Sequence, residues 1–127
     1  MENFKPYVTL TVNGDEYHLK FSAAATIEAE KKLGKGLLMA MQDMMSITTQ
    51  VTMLWAALQK YHHGITMDAA TDIYDAYVSG NGSMTDFVNT IVEALEVSGF
   101  TKPPQEGAKK AANNKNTAPG KSVQTEQ

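Results

Sequence analysis

The stretch Ser46 to Gly64, SITTQVTMLWAALQKYHHG, limits the fold more than any other part of this chain. Ile47, Val51, Leu54, Trp55, Leu58 and Tyr61 recur at steps of three and four. The α-helical period of 3.6 residues puts all six on one face. Thr48, Thr49, Gln50, Thr52, Gln59 and Lys60 take the other sides. Ser46 suits an N-cap, because its hydroxyl can accept from a free backbone N–H of the first turn. Gly64 suits a left-handed stop. His62 and His63 fall in the last turn, where partial positive charge meets the negative end of the helix dipole. The chain's one tryptophan stands in mid-stripe. The pattern predicts a central helix over 47–63 with the other elements packed around it.

Upstream, VTLTV-NG-DEYHLKF has two alternating runs around Asn13-Gly14. That dipeptide favours the type I′ turn, whose two central residues both need positive φ. The turn sets the register: Val12 faces Asp15, Leu10 faces Tyr17 and Val8 faces Leu19. Val8, Leu10, Val12, Tyr17, Leu19 and Phe21 then share one face of a hairpin spanning 8–21. Thr9, Thr11, Glu16, His18 and Lys20 share the other, which reads as solvated. A lone hairpin is marginal in water, so its apolar face must cover helices or another strand.

Four more helical segments follow from caps and spacing. Ser22 caps one over 23–33, with Ala24, Ile27 and Leu33 inward. A short one covers 37–45. One over 67–79 starts after Ile65-Thr66, with Ala70, Ile73, Tyr74, Tyr77 and Val78 inward. Ser83 opens the last, 84–98, in a capping-box arrangement with Asp86 in the usual glutamate place. Its stripe is Phe87, Val88, Ile91 and Leu95, and Gly99-Phe100 reads as a Schellman close. The fold class is α+β, mainly α: an N-terminal β-hairpin packed on a bundle of about four helices, in a single folded domain over 1–102. After Pro103-Pro104 the chain has no aromatic residue and, apart from alanine, one aliphatic residue, Val123. Such a segment cannot bury enough surface to offset its ordering entropy, so 103–127 is predicted to be a disordered tail.

Composition narrows the function classes. There is no cysteine, so neither a disulfide framework nor a thiolate metal site is available. All eleven basic residues are lysine, and the net charge is −3. Arginine's planar fork is the usual reader of phosphates and guanine edges. Its absence, with an acidic body, weighs against nucleic acid as a partner. No run is long enough to span a membrane, and the N-terminus lacks the basic-then-apolar pattern of a signal peptide.

Catalytic and metal chemistry find little footing. Gly120-Lys121-Ser122 matches the end of a phosphate-binding loop, but Lys115 stands where the first glycine is required. His62 and His63 are adjacent, so on a helix they diverge by about 100° and cannot grip a metal in the i, i+4 manner. Asp68, Asp72 and Asp75 share a helical face, which reads as solvated more readily than as a hard-cation site. Asn81-Gly82-Ser83 forms a glycosylation sequon that serves as a turn in the absence of a signal peptide. No serine or threonine sits in a nucleophile motif. The reading is a binding protein, not an enzyme, with no cofactor.

The densest apolar feature is Leu37, Leu38, Met39, Met41, Met44 and Met45, six residues within nine positions. On a helix, Leu37, Met41, Met44 and Met45 form one stripe, and Leu38 and Met39 spread onto neighbouring sides. One short helix rarely buries that much on one face. Methionine is flexible and polarizable, and it suits surfaces that accept varied hydrophobic partners. These six residues are the candidate partner-binding site, with core filling as the plain alternative.

The tight Asn-Gly hairpin, ATIEAEKKLGKGLL, VTMLWAALQKYHHGIT, DIYDAY and the closing VSGF together resemble the tail assembly chaperones of siphophages, especially those of Gram-positive hosts and their prophages. The resemblance covers roughly residues 7 to 102. It implies a protein that binds the long tape measure protein, keeps it soluble while the tail tube polymerises, acts in the bacterial host cytoplasm and is absent from the finished virion. In many such relatives a ribosomal frameshift makes a longer product that recruits the major tail tube protein. Ala108-Lys109-Lys110 and Pro119-Gly120-Lys121 can each be encoded by a slippery run, and this chain would be the short product. Replacing Met41, Met44 and Met45 with polar residues is then expected to abolish co-solubilisation while leaving the fold intact. Two other readings stand beside it: a structural component of the phage tail or head–tail connector, and a small host-directed binding or regulatory protein. The hairpin edge also leaves a homo-oligomer open.

Overall fold

A computed structural model describes residues 6–80 and 82–102. The tail over 103–127, with both slippery tripeptides, lies outside the described residues, as does Asn81 of the sequon. Two strands, β1 (Val8–Val12) and β2 (Asp15–Leu19), precede five helices: α1 (Ala23–Leu33), α2 (Leu37–Gln42), α3 (Ile47–Leu58), α4 (Met67–Ser79) and α5 (Met84–Val97). The architecture is α+β and mainly α, as the sequence patterns predict.

The hairpin has the expected register, with Val8 opposite Leu19, Leu10 opposite Tyr17 and Val12 opposite Asp15. Asn13 and Gly14 both take positive φ, 51° and 86°, as the turn demands. Val8, Leu10, Val12, Leu19 and Phe21 are buried, and Tyr17 packs half-buried at the margin of the core. Ser22, Ser46, Thr66 and Ser83 each cap a helix, accepting from the backbone N–H three residues on. Gly99 and Phe100 donate to the carbonyls of Glu96 and Leu95, the paired bonds of a Schellman close.

The central helix is central in fact, but its burial departs from a single stripe. α3 is in contact with α1, α4, α5 and β2, so it is covered on several sides at once. Thr49, Gln50, Thr52 and Met53 are buried along with Val51, Leu54 and Leu58, whereas Ile47 and Tyr61 are exposed and Trp55 is half-buried. A helix wrapped by neighbours has almost no solvated face for its polar residues to occupy, and of its threonines only Thr48 is exposed. The helix also stops at Leu58, short of the expected His63. There the side chains of Trp55 and Gln59 both donate to the carbonyl of Ile65, folding the following turn back over the helix end.

In α1 the inward residues are Ala25, Thr26 and Ala29; Ala24 and Ile27 are exposed and Leu33 is half-buried. Small side chains on that face let α1 lie close against α3, and Thr26 satisfies its hydroxyl on the carbonyl of Ser22 at 2.7 Å. The stripes of α4 and α5 follow their pattern: Ala70, Ile73, Tyr74, Phe87, Ile91 and Leu95 are buried, and Tyr77, Val78 and Val88 are half-buried. No helix among the described residues is long and apolar enough to cross a membrane.

Candidate partner-binding surface

α2 is a helix of six residues, shorter than the 37–45 predicted. Gly36 at its N-cap offers no side chain, and the carboxylate of Glu30 substitutes by accepting the Leu37 N–H at 2.7 Å. At the other end the chain turns through Asp43 to Ser46, whose N–H donates to the Asp43 carbonyl at 3.0 Å. Asp43 fixes this turn. Its carboxylate accepts from Lys35 at 2.9 Å and from the Thr49 hydroxyl at 3.2 Å. The hydrogen bond and charge of Lys35, with the Thr49 bond added, hold the Asp43 carboxyl below its ordinary value.

One further bond ties the turn to the core. Gln50 is fully buried, and its amide donates to the Met44 carbonyl at 2.8 Å. Its other end accepts the Tyr74 hydroxyl at 2.6 Å. Burial raises the pKa of Tyr74, so the phenol stays protonated and able to donate. A residue assigned by spacing to the polar side thus joins the α2–α3 turn to α4 through the interior.

This framework divides the methionine cluster. Met44 is buried, and Leu37 and Met41 pack half-buried against the core beside the buried Ala40. Leu38, Met39 and Met45 point outward, 71%, 59% and 61% exposed. Residues 37, 40, 41 and 44 follow the helical period. Met45 leaves the stripe expected with Leu37, Met41 and Met44 because α2 has already ended at Gln42 and the turn carries it outward. Three of the six candidate residues are therefore exposed, and three anchor the segment that carries them.

Ile47, expected on the apolar face of the central helix, instead adds a fourth large apolar side chain at 55% exposure. It lines a groove of about 290 Å³ between α3 and α4, with Thr48, Val51, Thr52, Met67 and Thr71. Leu38, Met39, Met45 and Ile47 fall within ten consecutive residues. Burying a large apolar side chain under a partner stabilises by about 1.5–3 kcal/mol each before the costs of association. Asp68, Asp72 and Asp75 are exposed on α4. Among the described residues no group of three or more His, Asp or Glu side chains is placed to hold a metal ion.

The histidines also depart from expectation. His18, read as solvated, is half-buried, and its backbone N–H donates to Nε2 of His62 at 3.0 Å. Tyr7, Tyr61 and Tyr17 complete a ring cluster around the two imidazoles. His63 remains exposed. A pairing across 44 positions on two different elements leaves no local signal in the sequence.

A scan against family models gave no match, and searches of curated proteins and of solved structures gave none either.

Proposed function

We propose that this chain is a tail assembly chaperone of the siphophage type, which binds the tape measure protein and keeps it soluble while the tail tube polymerises. The observation that supports this most is the outward presentation of Leu38, Met39, Met45 and Ile47 on a segment fixed from below by Met44, Gln50 and Asp43. Contiguous exposed apolar patches mark surfaces that meet other proteins, and these four exposed side chains emerge within ten consecutive residues. Unbranched methionines adapt to varied helical partners, which a long and partly apolar helical client requires. The site of action is the bacterial host cytoplasm, and the chaperone leaves before the virion is complete. A longer frameshifted product would bring the major tail tube protein to the same complex.

Co-expression with the long helical protein encoded just downstream tests this reading. The expected result is rescue of that partner into the soluble fraction, with co-elution of the two. No rescue, with this chain retained in purified tails, would instead support the structural-component reading.

A further inference from the structure

The outer edge of β2 is fastened to the end of α3 by two bonds. The Lys20 N–H donates to the Ala57 carbonyl at 3.0 Å, and the His18 N–H donates to Nε2 of His62 at 3.0 Å. The first bond is between backbone groups and does not titrate. The second needs a free lone pair on Nε2, so His62 must be neutral with its one proton on Nδ1. A second proton on that ring occupies the lone pair and sets two N–H groups against each other.

Among the described residues no carboxylate pairs with either imidazole to compensate the protonated form. The His18 and His62 rings stack with centroids 6.3 Å apart, and Nδ1 of His18 is buried with no hydrogen-bond partner among the described residues. Tyr17 of β2 lies 5.5 Å from His62, and Tyr7 and Tyr61 pack on His18 at 4.0 and 5.8 Å. Lys20 of β2, with Lys60 and His63 after α3, adds only positive or neutral groups nearby in the chain. Glu16 shares the His18 face of β2 two residues along, and it is exposed. Among the described residues the ion pairs are Lys31–Glu28 and Lys35–Asp43, neither of which involves an imidazole.

We propose that the His18–His62 bond is a proton-operated clasp: it holds the hairpin to the end of α3 when His62 is neutral and opens when His62 takes up a proton. Burial, with the neighbouring His18, lowers the pKa of His62 below the ordinary 6.5. The open state, with an ordinary pKa, therefore binds the proton more readily than the closed one. The clasp is fully present above pH 6.5, and it weakens as pH falls from 6.5 through the lowered value. Over that window the closing constant drops by up to about tenfold per pH unit, as one proton requires. Opening also bares the His18 N–H on the β2 edge, where an added strand could pair.

Nuclear magnetic resonance of the full-length ¹⁵N-labelled chain from pH 7.5 to 5.0 tests the clasp. At pH 7.5 the imidazole nitrogen shifts should place the His62 proton on Nδ1. Below pH 6.5 the exchange protection of the His18 amide, corrected for its intrinsic rate, should fall while that of Lys20 holds. His62→Phe should leave the His18 amide poorly protected at every pH, and His63→Phe should behave as wild type. A proton on Nε2 at pH 7.5, or His18 protection unchanged down to pH 5.0, would overturn the proposal.

Discussion

The Tyr74 hydroxyl donates to Oε1 of Gln50 at 2.6 Å, inside the core, joining α4 to α3 through residues 24 positions apart in the chain. Gln50 in turn donates to the Met44 carbonyl. A buried amide satisfied at both ends fixes geometry, because leaving either end unmade costs about 1–3 kcal/mol. Tyr74→Phe should lower stability by about 1–2 kcal/mol in urea unfolding, by stranding Oε1. Gln50→Leu should cost more, since it strands both the phenol and the Met44 carbonyl. In a double-mutant cycle, the two losses should be less than additive.

Gly82 is held by close approach. A Cβ there would stand 2.1 Å from the Tyr77 ring. That ring is pinned edge-on to Phe87 at 5.7 Å, so it cannot swing clear without disturbing the start of α5. Gly82→Ala should therefore destabilise by about 1–3 kcal/mol. Pairing it with Tyr77→Leu should recover part of that loss in thermal unfolding.

The two halves of the methionine cluster should separate cleanly by mutation. Met44→Ala removes a buried side chain and should cost about 2–5 kcal/mol. Leu38→Ser, Met39→Gln and Met45→Gln replace exposed side chains and should each stay within about 0.5 kcal/mol of wild type. The polar replacement of Met41, Met44 and Met45 considered from sequence would cut into the core, so the surface set is the sounder probe of binding.

Acid should loosen the α2–α3 turn. Because Lys35 and Thr49 hold the Asp43 carboxyl below the ordinary 3.8, its contribution is complete above that value and is lost as pH falls through the depressed one. Lys35→Met should return the Asp43 titration toward 3.8, as followed by the carboxyl carbon shift.

Much of the fold was legible because it is written locally. Asn13-Gly14 with strict alternation specifies the turn and hence every pairing in the hairpin, since a slip of one residue would reverse its faces. Ser22, Ser46 and Ser83 announce helix starts through the backbone donors they can satisfy. Burial within α3 was not legible, because periodicity assumes one wet side and this helix has almost none. Thr49 and Gln50 could enter the core only because Asp43, Met44 and Tyr74 supply partners from elsewhere. The candidate surface was half legible. Composition marked the segment from Leu37 to Met45, but the early end of α2 decided which of its side chains face outward, and it left the exposure of Ile47 to be found in the structure.

The central claim is that the outward residues of this segment hold the tape measure protein. The most direct test is co-expression of that partner with wild type and with the combined Leu38→Ser, Met39→Gln, Met45→Gln variant, with urea unfolding of each chain alone in parallel. The account predicts matching unfolding curves, and a partner soluble with wild type but lost to the pellet with the variant. A partner kept equally soluble by a folded variant would contradict it.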